Sequence, residues 1–570
     1  MFQRFAFVLS GAVLAAAVAV SPASAQDKKV LTIGISQEFE ALNPVISQMA
    51  ASSLIAKTVL RSLVTIDSNW KWVCVLCKEL PSLENKLAKI VTQGKDKRLV
   101  VSWELNDAKW GDGTPVTGED VKFAWTVGKN PNVSVGEKDI YDRIVDIQVD
   151  AKNPKKFTMT FKEPRYDFYQ LGTFYIIPKH IEGPVFEKTK GTAGAYEKQT
   201  MFNSNPLTPG LYNGPYRVAD LKLGSHVTLE RNPNFFGQAP AFERVVFKLI
   251  PNTQTLEANL LSGTIDMISE LGVAFDQALA LEKRINANPA LKKKFKVNFR
   301  QGPTYEHVTF NYKSPIVSDL RVRRALVQGV DRAKLVQALF EGRQPVALHN
   351  IHPLDPYYTD KVAKNAYDAA GAAKLLDEAG WKLNAKGIRE KDGKPLSLTL
   401  MTTAQNKTRE LVQVFLQSEW KKLGIEAKIK NEPARVFFGE TVKKGIWPDL
   451  AMFAWVSSPD NPPRSTMHSG EIPTAKNSYG GQNGGSFKNA EADKLLNEIP
   501  NEFNFAKRKQ LMERLQQIYA EELPAMPLYL RAEISVSPAN ITGYQLNGHQ
   551  FYSTQSIEYW KLGGGAVAGR

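Results

Sequence analysis

Cysteine is nearly missing from this chain, at 2 of 570 residues. The pair, Cys74 and Cys77, has C-x-x-C spacing, which a thioredoxin-like redox unit places at a helix start after a strand. Here it falls in the turn-rich run KWVCVLCKELP and reads as a local structural disulfide of an oxidising compartment. Equally absent are Gly-x-Ser-x-Gly, His-Glu-x-x-His and Gly-x-x-x-x-Gly-Lys-Ser/Thr, so serine, zinc and phosphate chemistry lack their usual handles. The seven histidines are scattered; only His349 and His352 lie close, and they read as loop structure rather than a metal site. Beyond the first 25 residues no apolar run reaches the roughly 18 residues of a membrane helix. These absences argue against an enzyme, call for no cofactor, and leave a secreted hydrolase as a distant alternative.

What is present begins with export. Arg4, an apolar run from Phe5 to Val20 and the small residues Ala23 and Ala25 form a secretory signal peptide over residues 1–25. No cysteine follows the cleavage site to carry a lipid, so the mature chain is expected free in the periplasm. The formal net charge is +15, but the basic residues are spread along the chain. Lys292–Lys294, Arg321 with Arg323 and Arg324, and Lys507–Lys509 alternate with apolar residues at helical spacing and read as solvated helix faces, not a nucleic-acid surface.

At 570 residues and 43% hydrophobic composition the chain can bury two or three cores. Val30–Ile35 alternates as a strand, and a helix is expected from Ser47 to Leu63. Thr117 with Asp120 makes a capping box for a following helix. Strands are expected over Leu99–Trp103, Ile144–Val149 and Phe157–Phe161. From Asp319, apolar spacing through Val322, Leu326, Val330, Leu335 and Leu339 predicts one long buried helix. Leu396–Met401, Glu410–Leu423 and Ile425–Ile429 read as strand, helix and strand. They lead to WPDLAMFAWVSSPDNPP at Trp447–Pro463, an apolar strand that runs into a proline-stiffened polar loop. Such strand ends are where open α/β sheets bind ligands. After a helix over Lys507–Tyr519 the chain is expected to finish in short strand pieces through Ile541 and Tyr544.

EFEALNP at the start, KWGDGTPVTGEDVKFAW, NGPYRV, RNPNFF, SGTIDMI, DLRVRRAL, YDAAGAAKLLDEAGW, SFKNAEADKLL and LPAMPLYL occur in that order. In this combination the sequence resembles the extracellular solute-binding proteins, family 5, of peptide ABC importers. The resemblance implies an α/β, two-lobe periplasmic-binding-protein fold, class II-like, with an extra sublobe in lobe one and a hinge between the lobes. Residues 26–300 would form lobe one with a sublobe inserted near 60–200; 301–529 would form lobe two, and 530–570 would return to lobe one. A peptide would lie in the cleft as an added strand. The partner would be the permease subunits of the inner membrane, and the protein would work as a monomer. Other small ligands that relatives carry, such as an opine, a metal chelate or haem, are the alternative.

By motif position the ligand contacts are expected from Phe39 and Glu40, and from Ala454, Trp455, Val456 and Ser457. In the family a carboxylate three residues after the tryptophan meets the peptide's amino terminus. Ser458 stands at that place here, so Asp460 is the nearest candidate anchor, followed by Glu40 and Glu270.

Overall fold

The computed structural model describes residues 29–39, 42–46, 49–135, 138–433, 436–477 and 481–563. The expected signal peptide and Glu40 lie outside these residues. A mixed sheet of ten strands runs through the molecule among the described residues. In spatial order it is Glu426–Ile429, Ser397–Met401, Leu450–Val456, Phe295–Phe310, Ala525–Pro538, Met267–Ile268, Val30–Ile35, Arg244–Leu249, His226–Arg231 and Tyr216–Lys222. Val30–Ile35 is flanked by two parallel neighbours and buries Leu31, Ile33 and Ile35. Its run of β-branched and apolar residues suits a strand covered on both faces.

Phe295–Phe310 and Ala525–Pro538 are the two longest strands, and they join the halves of the sheet. Phe295–Gln301 pairs with Ala532–Pro538, the register shifts between Gln301 and Tyr305, and Tyr305–Thr309 then pairs with Ala525–Leu530. One large core lies on the first side of this shift. It runs from Leu31 to Phe247 and takes in Ile557 and Trp560. A second core, from Val308 to Tyr529, lies on the other side. The strands Ala88–Gln93, Asp96–Glu104, Lys156–Phe161 and Ile144–Val149 form a separate antiparallel sheet within the first half. Against it packs the helix Gly118–Lys129, whose first turn is held by the Asp120 carboxylate accepting the Thr117 N–H at 2.9 Å.

Just beyond the register shift sits a charged knot. Glu306 is 0% exposed and accepts from Arg409 Nε and Nη2 at 3.3 and 3.2 Å, and from Arg531 Nη2. Burial alone would raise this carboxyl, but the two guanidinium groups outweigh it and hold it below its ordinary value.

Several expected elements differ from what forms. Of the helix expected over Ser47–Leu63, Ser47 and Gln48 lie outside the described residues; the helix Ala50–Val59 ends early because Asn213 Oδ1 accepts the Arg61 N–H at 2.7 Å and the Val59 carbonyl accepts the Gly214 N–H at 2.8 Å. The single helix expected from Asp319 is two, Leu320–Gln328 and Arg332–Phe340. They part at Gly329, where a Cβ would stand 2.3 Å from Leu423, and Asp331 caps the second helix through the Lys334 N–H at 2.9 Å. Of the short terminal strand pieces expected, Ile541–Thr542 forms, but it is preceded by one strand of 14 residues whose Pro527 sits at a bulge opposite His307. Two arginines of the basic clusters are buried rather than solvated. Arg323, 2% exposed, donates to the Glu522, Val317 and Ser318 carbonyls, and Arg508, 5% exposed, stacks 3.9 Å over the Tyr166 ring.

Cys74 and Cys77 are joined by a disulfide with 5.1 Å between their Cα atoms. With a sequence separation of 3, the bond constrains the unfolded chain less than the roughly 3 kcal/mol that chain entropy assigns to a 15-residue loop. Replacing both by Ala is expected to lower unfolding free energy by less than that, read from urea midpoints. A larger loss would mean that the link also fixes native packing.

Candidate functional site

The strand Leu450–Val456 buries Leu450, Ala451, Met452 and Phe453, whereas Ala454 and Trp455 are half-buried and Val456 is 60% exposed. One edge is occupied along its length, Tyr305 pairing with Trp455 and Thr304 with Val456. The Ser457 N–H then donates to the Pro303 carbonyl at 2.8 Å. On the other edge, Ser397–Met401 pairs only as far as Ala451. From Phe453 to Val456 that edge has no strand partner among the described residues. An unpaired edge at a strand's C-terminal end offers main-chain donors and acceptors to an extended ligand. Trp455 packs edge-on against Phe453, with ring centroids 5.4 Å apart, and against the cluster of Tyr305, Ala347 and Leu530.

The loop that follows is fixed from both halves of the molecule. Ser457 Oγ donates to the Asn350 carbonyl at 3.0 Å, and Ser458 is half-buried. Asp460, 6% exposed, has φ +57°, a left-handed conformation that Asp tolerates better than most residues. Its N–H donates to Asp355 Oδ2 at 2.9 Å. Its carboxylate Oδ2 accepts from the Tyr169 hydroxyl at 2.7 Å and from Gln170 Nε2 at 2.9 Å, and its carbonyl accepts from the Tyr166 hydroxyl at 2.8 Å. Burial raises the Asp460 carboxyl against the opposing hydrogen bonds, and burial pushes Asp355 up to about 7. The Tyr166–Tyr169 turn and Gln170 belong to the first half of the chain, so these bonds tie one half to the other.

A cavity of about 290 Å³ opens in the first half, and Ser53, Lys57, Thr173, Tyr175, Gln550 and Phe551 are among its lining residues. Lys57 is 4% exposed, and its Nζ lies 4.8 Å from the centre of the Tyr175 ring and 4.2 Å from that of Phe551. Burial, helped by the nearby Arg61 charge, pulls its ammonium down to about 7.

The remaining expected residues are dispersed. Phe39, 2% exposed, is enclosed in the first core, so any contact from its loop falls to the main chain. Glu270 Oε1 accepts the Ser553 N–H at 3.0 Å, and no hydrogen bond or ion pair among the described residues joins it to the Trp455–Asp460 stretch. His349 and His352 are buried loop residues whose Nδ1 atoms accept the N–H groups of Ile351 and Leu354 at 3.2 and 3.1 Å. No group of three or more His, Cys, Asp or Glu suited to a metal occurs among the described residues. Sequence reasoning missed Tyr169, Gln170 and Asp355. It also missed Lys57, although it is the one charged residue in the ten of Ala50–Val59.

The profile of the bacterial extracellular solute-binding proteins, family 5, matches residues 83–473. The chain belongs to that family. Among curated relatives, the oligopeptide-binding protein AppA of Bacillus subtilis is 28% identical over 461 residues, covering 80% of this chain and 79% of AppA. Among solved structures, the oligopeptide-binding protein of Thermus thermophilus complexed with a pentapeptide is 30% identical with a TM-score of 0.69, covering 94% of this chain and 96% of that one. Bacillus subtilis AppA in complex with a nonapeptide is 26% identical with a TM-score of 0.68, covering 95% and 100%. The fold of this family-5 protein is therefore the two-lobe solute-binding fold, and it is a binding protein rather than an enzyme. No helix among its described residues is long and apolar enough to cross a membrane.

Proposed function

We propose that this family-5 protein captures short peptides between its lobes and hands them to an inner-membrane ABC permease. The unpaired Phe453–Val456 edge carries the reading: a peptide added there satisfies main-chain groups whatever its side chains, which suits a broad-specificity carrier. The relatives solved with a pentapeptide and a nonapeptide support the same ligand class. In this reading residues 1–25 are removed on export, and the protein works in the periplasm as a monomer. The lobes turn about the register shift near Gln301–Tyr305. Isothermal titration with penta-alanine, together with native mass spectrometry of the purified protein, tests it. Micromolar or tighter binding and co-purifying peptides are expected; a tetrapyrrole or a metal chelate as the only bound species would replace peptides with that ligand.

Asp460 then acts as a tie between closed lobes, because Tyr169 and Gln170 both bind its Oδ2 from the other half of the molecule. Bonds to a charged acceptor exceed those to a neutral one by about 1–2 kcal/mol. Asp460→Asn is thus expected to weaken free and N-acetylated penta-alanine alike, roughly five- to thirtyfold. Loss confined to the free-amine peptide would instead make Asp460 the partner of the ligand's ammonium.

A further inference from the structure

The cavity beside the helix Ala50–Val59 holds an ammonium for which the described residues supply no counter-ion and an amide oxygen for which they supply no donor. Among the described residues no carboxylate lies within ion-pair distance of the Lys57 ammonium, and Glu558 is bound to Arg61, one turn further on, at 2.7 Å. Gln550 Oε1 is buried and has no hydrogen-bond partner. Both residues line the same cavity. Its volume of about 290 Å³ stands at the lower end of ligand sites, roughly 300–1,000 Å³, and suits one end of a ligand rather than the whole.

An ammonium taken out of water without an anion is costly. So is an orphaned amide oxygen. One chemical fragment relieves both, a carboxylate with an N–H beside it. The Tyr175 and Phe551 rings against Lys57 exclude water from the pair and thereby strengthen the attraction. We propose that this cavity is a carboxylate subsite in which Lys57 meets the carboxylate of the ligand and Gln550 accepts the N–H next to it. For peptides this deepens the function proposed above and rests on it. The carboxylate then comes either from the chain terminus or from an acidic side chain.

Wild type and Lys57→Met are titrated with penta-alanine, penta-alanine amide and Ala-Ala-Glu-Ala-Ala amide. A loss of at least tenfold for penta-alanine, with the alanine amide unchanged, is expected if the terminus is the source. A selective loss for the glutamate peptide assigns the side chain. Equal losses for all three, or none, overturn the subsite. N-Acetylalanine, which carries the fragment alone, serves as a probe independent of peptide capture. It should raise the Tm of wild type by several degrees at millimolar concentration, and that of Lys57→Met or Gln550→Leu not at all. No shift of wild type with N-acetylalanine refutes the subsite even where peptides bind. A shift without any peptide binding leaves the subsite standing and refutes peptide capture.

Discussion

Glu306→Gln is expected to lower the unfolding free energy by about 3–5 kcal/mol, the cost of removing one partner from a buried ion pair. The carboxylate is fully buried, and Arg409, 6% exposed, would keep its charge with nothing to meet it. Arg531 is 39% exposed at its side chain, so water compensates it in part and its share is smaller. The knot also sets an acid limit. Because the folded carboxyl lies below its ordinary value, its contribution is present above the unfolded value and is lost as pH falls through the folded one. Urea unfolding at pH 7 measures the loss, and a change under about 1 kcal/mol with an unaltered m value would show that Glu306 contributes little. The double variant Glu306→Leu with Arg409→Met should recover most of it, since apolar groups of similar volume replace buried pairs at little cost.

The opposite sign is expected at Lys57. Lys57→Met should make the ligand-free protein more stable at pH 6, because a buried ammonium with no counter-ion among the described residues is replaced by a side chain of similar shape. A tenfold change in proton affinity is worth about 1.4 kcal/mol. The drop from 10.5 to about 7 therefore corresponds to roughly 4–5 kcal/mol. The folded value lies below the unfolded one, so the folded chain binds fewer protons between the two. The penalty is fully present below about pH 7 and fades as pH rises toward 10.5. The gap between variant and wild type should close over that window. Arg61, His549, Tyr141, Tyr175 and Tyr552, the other titratable groups around the cavity, are common to both proteins and cancel in the comparison. A gap that is absent at pH 6, or constant to pH 10, would mean that Lys57 is solvated.

Local signals of the fold were readable where neighbours in sequence decide the structure. Val30–Ile35 and the Thr117 capping box form as their residues dictate. The failures share one cause, competition from residues far along the chain. Nothing near Leu60 announces that Asn213 will claim the next N–H, and nothing near Gly329 announces that Leu423 fills the place of a Cβ where the helix ends. The site follows the same rule. The strand end at Trp455 was visible as an apolar run meeting a polar loop. The bonds from Tyr169 and Gln170 to Asp460 were not, because they span 291 and 290 positions and carry no local pattern. Lys57 left a faint mark as a charge inside an otherwise apolar and hydroxyl-bearing helix, but only packing reveals that no anion among the described residues meets it.

The enclosure of the first core by Ile557 and Trp560 bears on the order in which the chain can fold. Thr554 donates to the Leu54 carbonyl across 500 positions, and Glu558 neutralises Arg61 across 497. A chain made from its N-terminus carries an unfinished first core through the synthesis of the second. Contacts this distant in sequence make folding slow. The segment made first therefore cannot lock into its native form before the segment that completes it has followed.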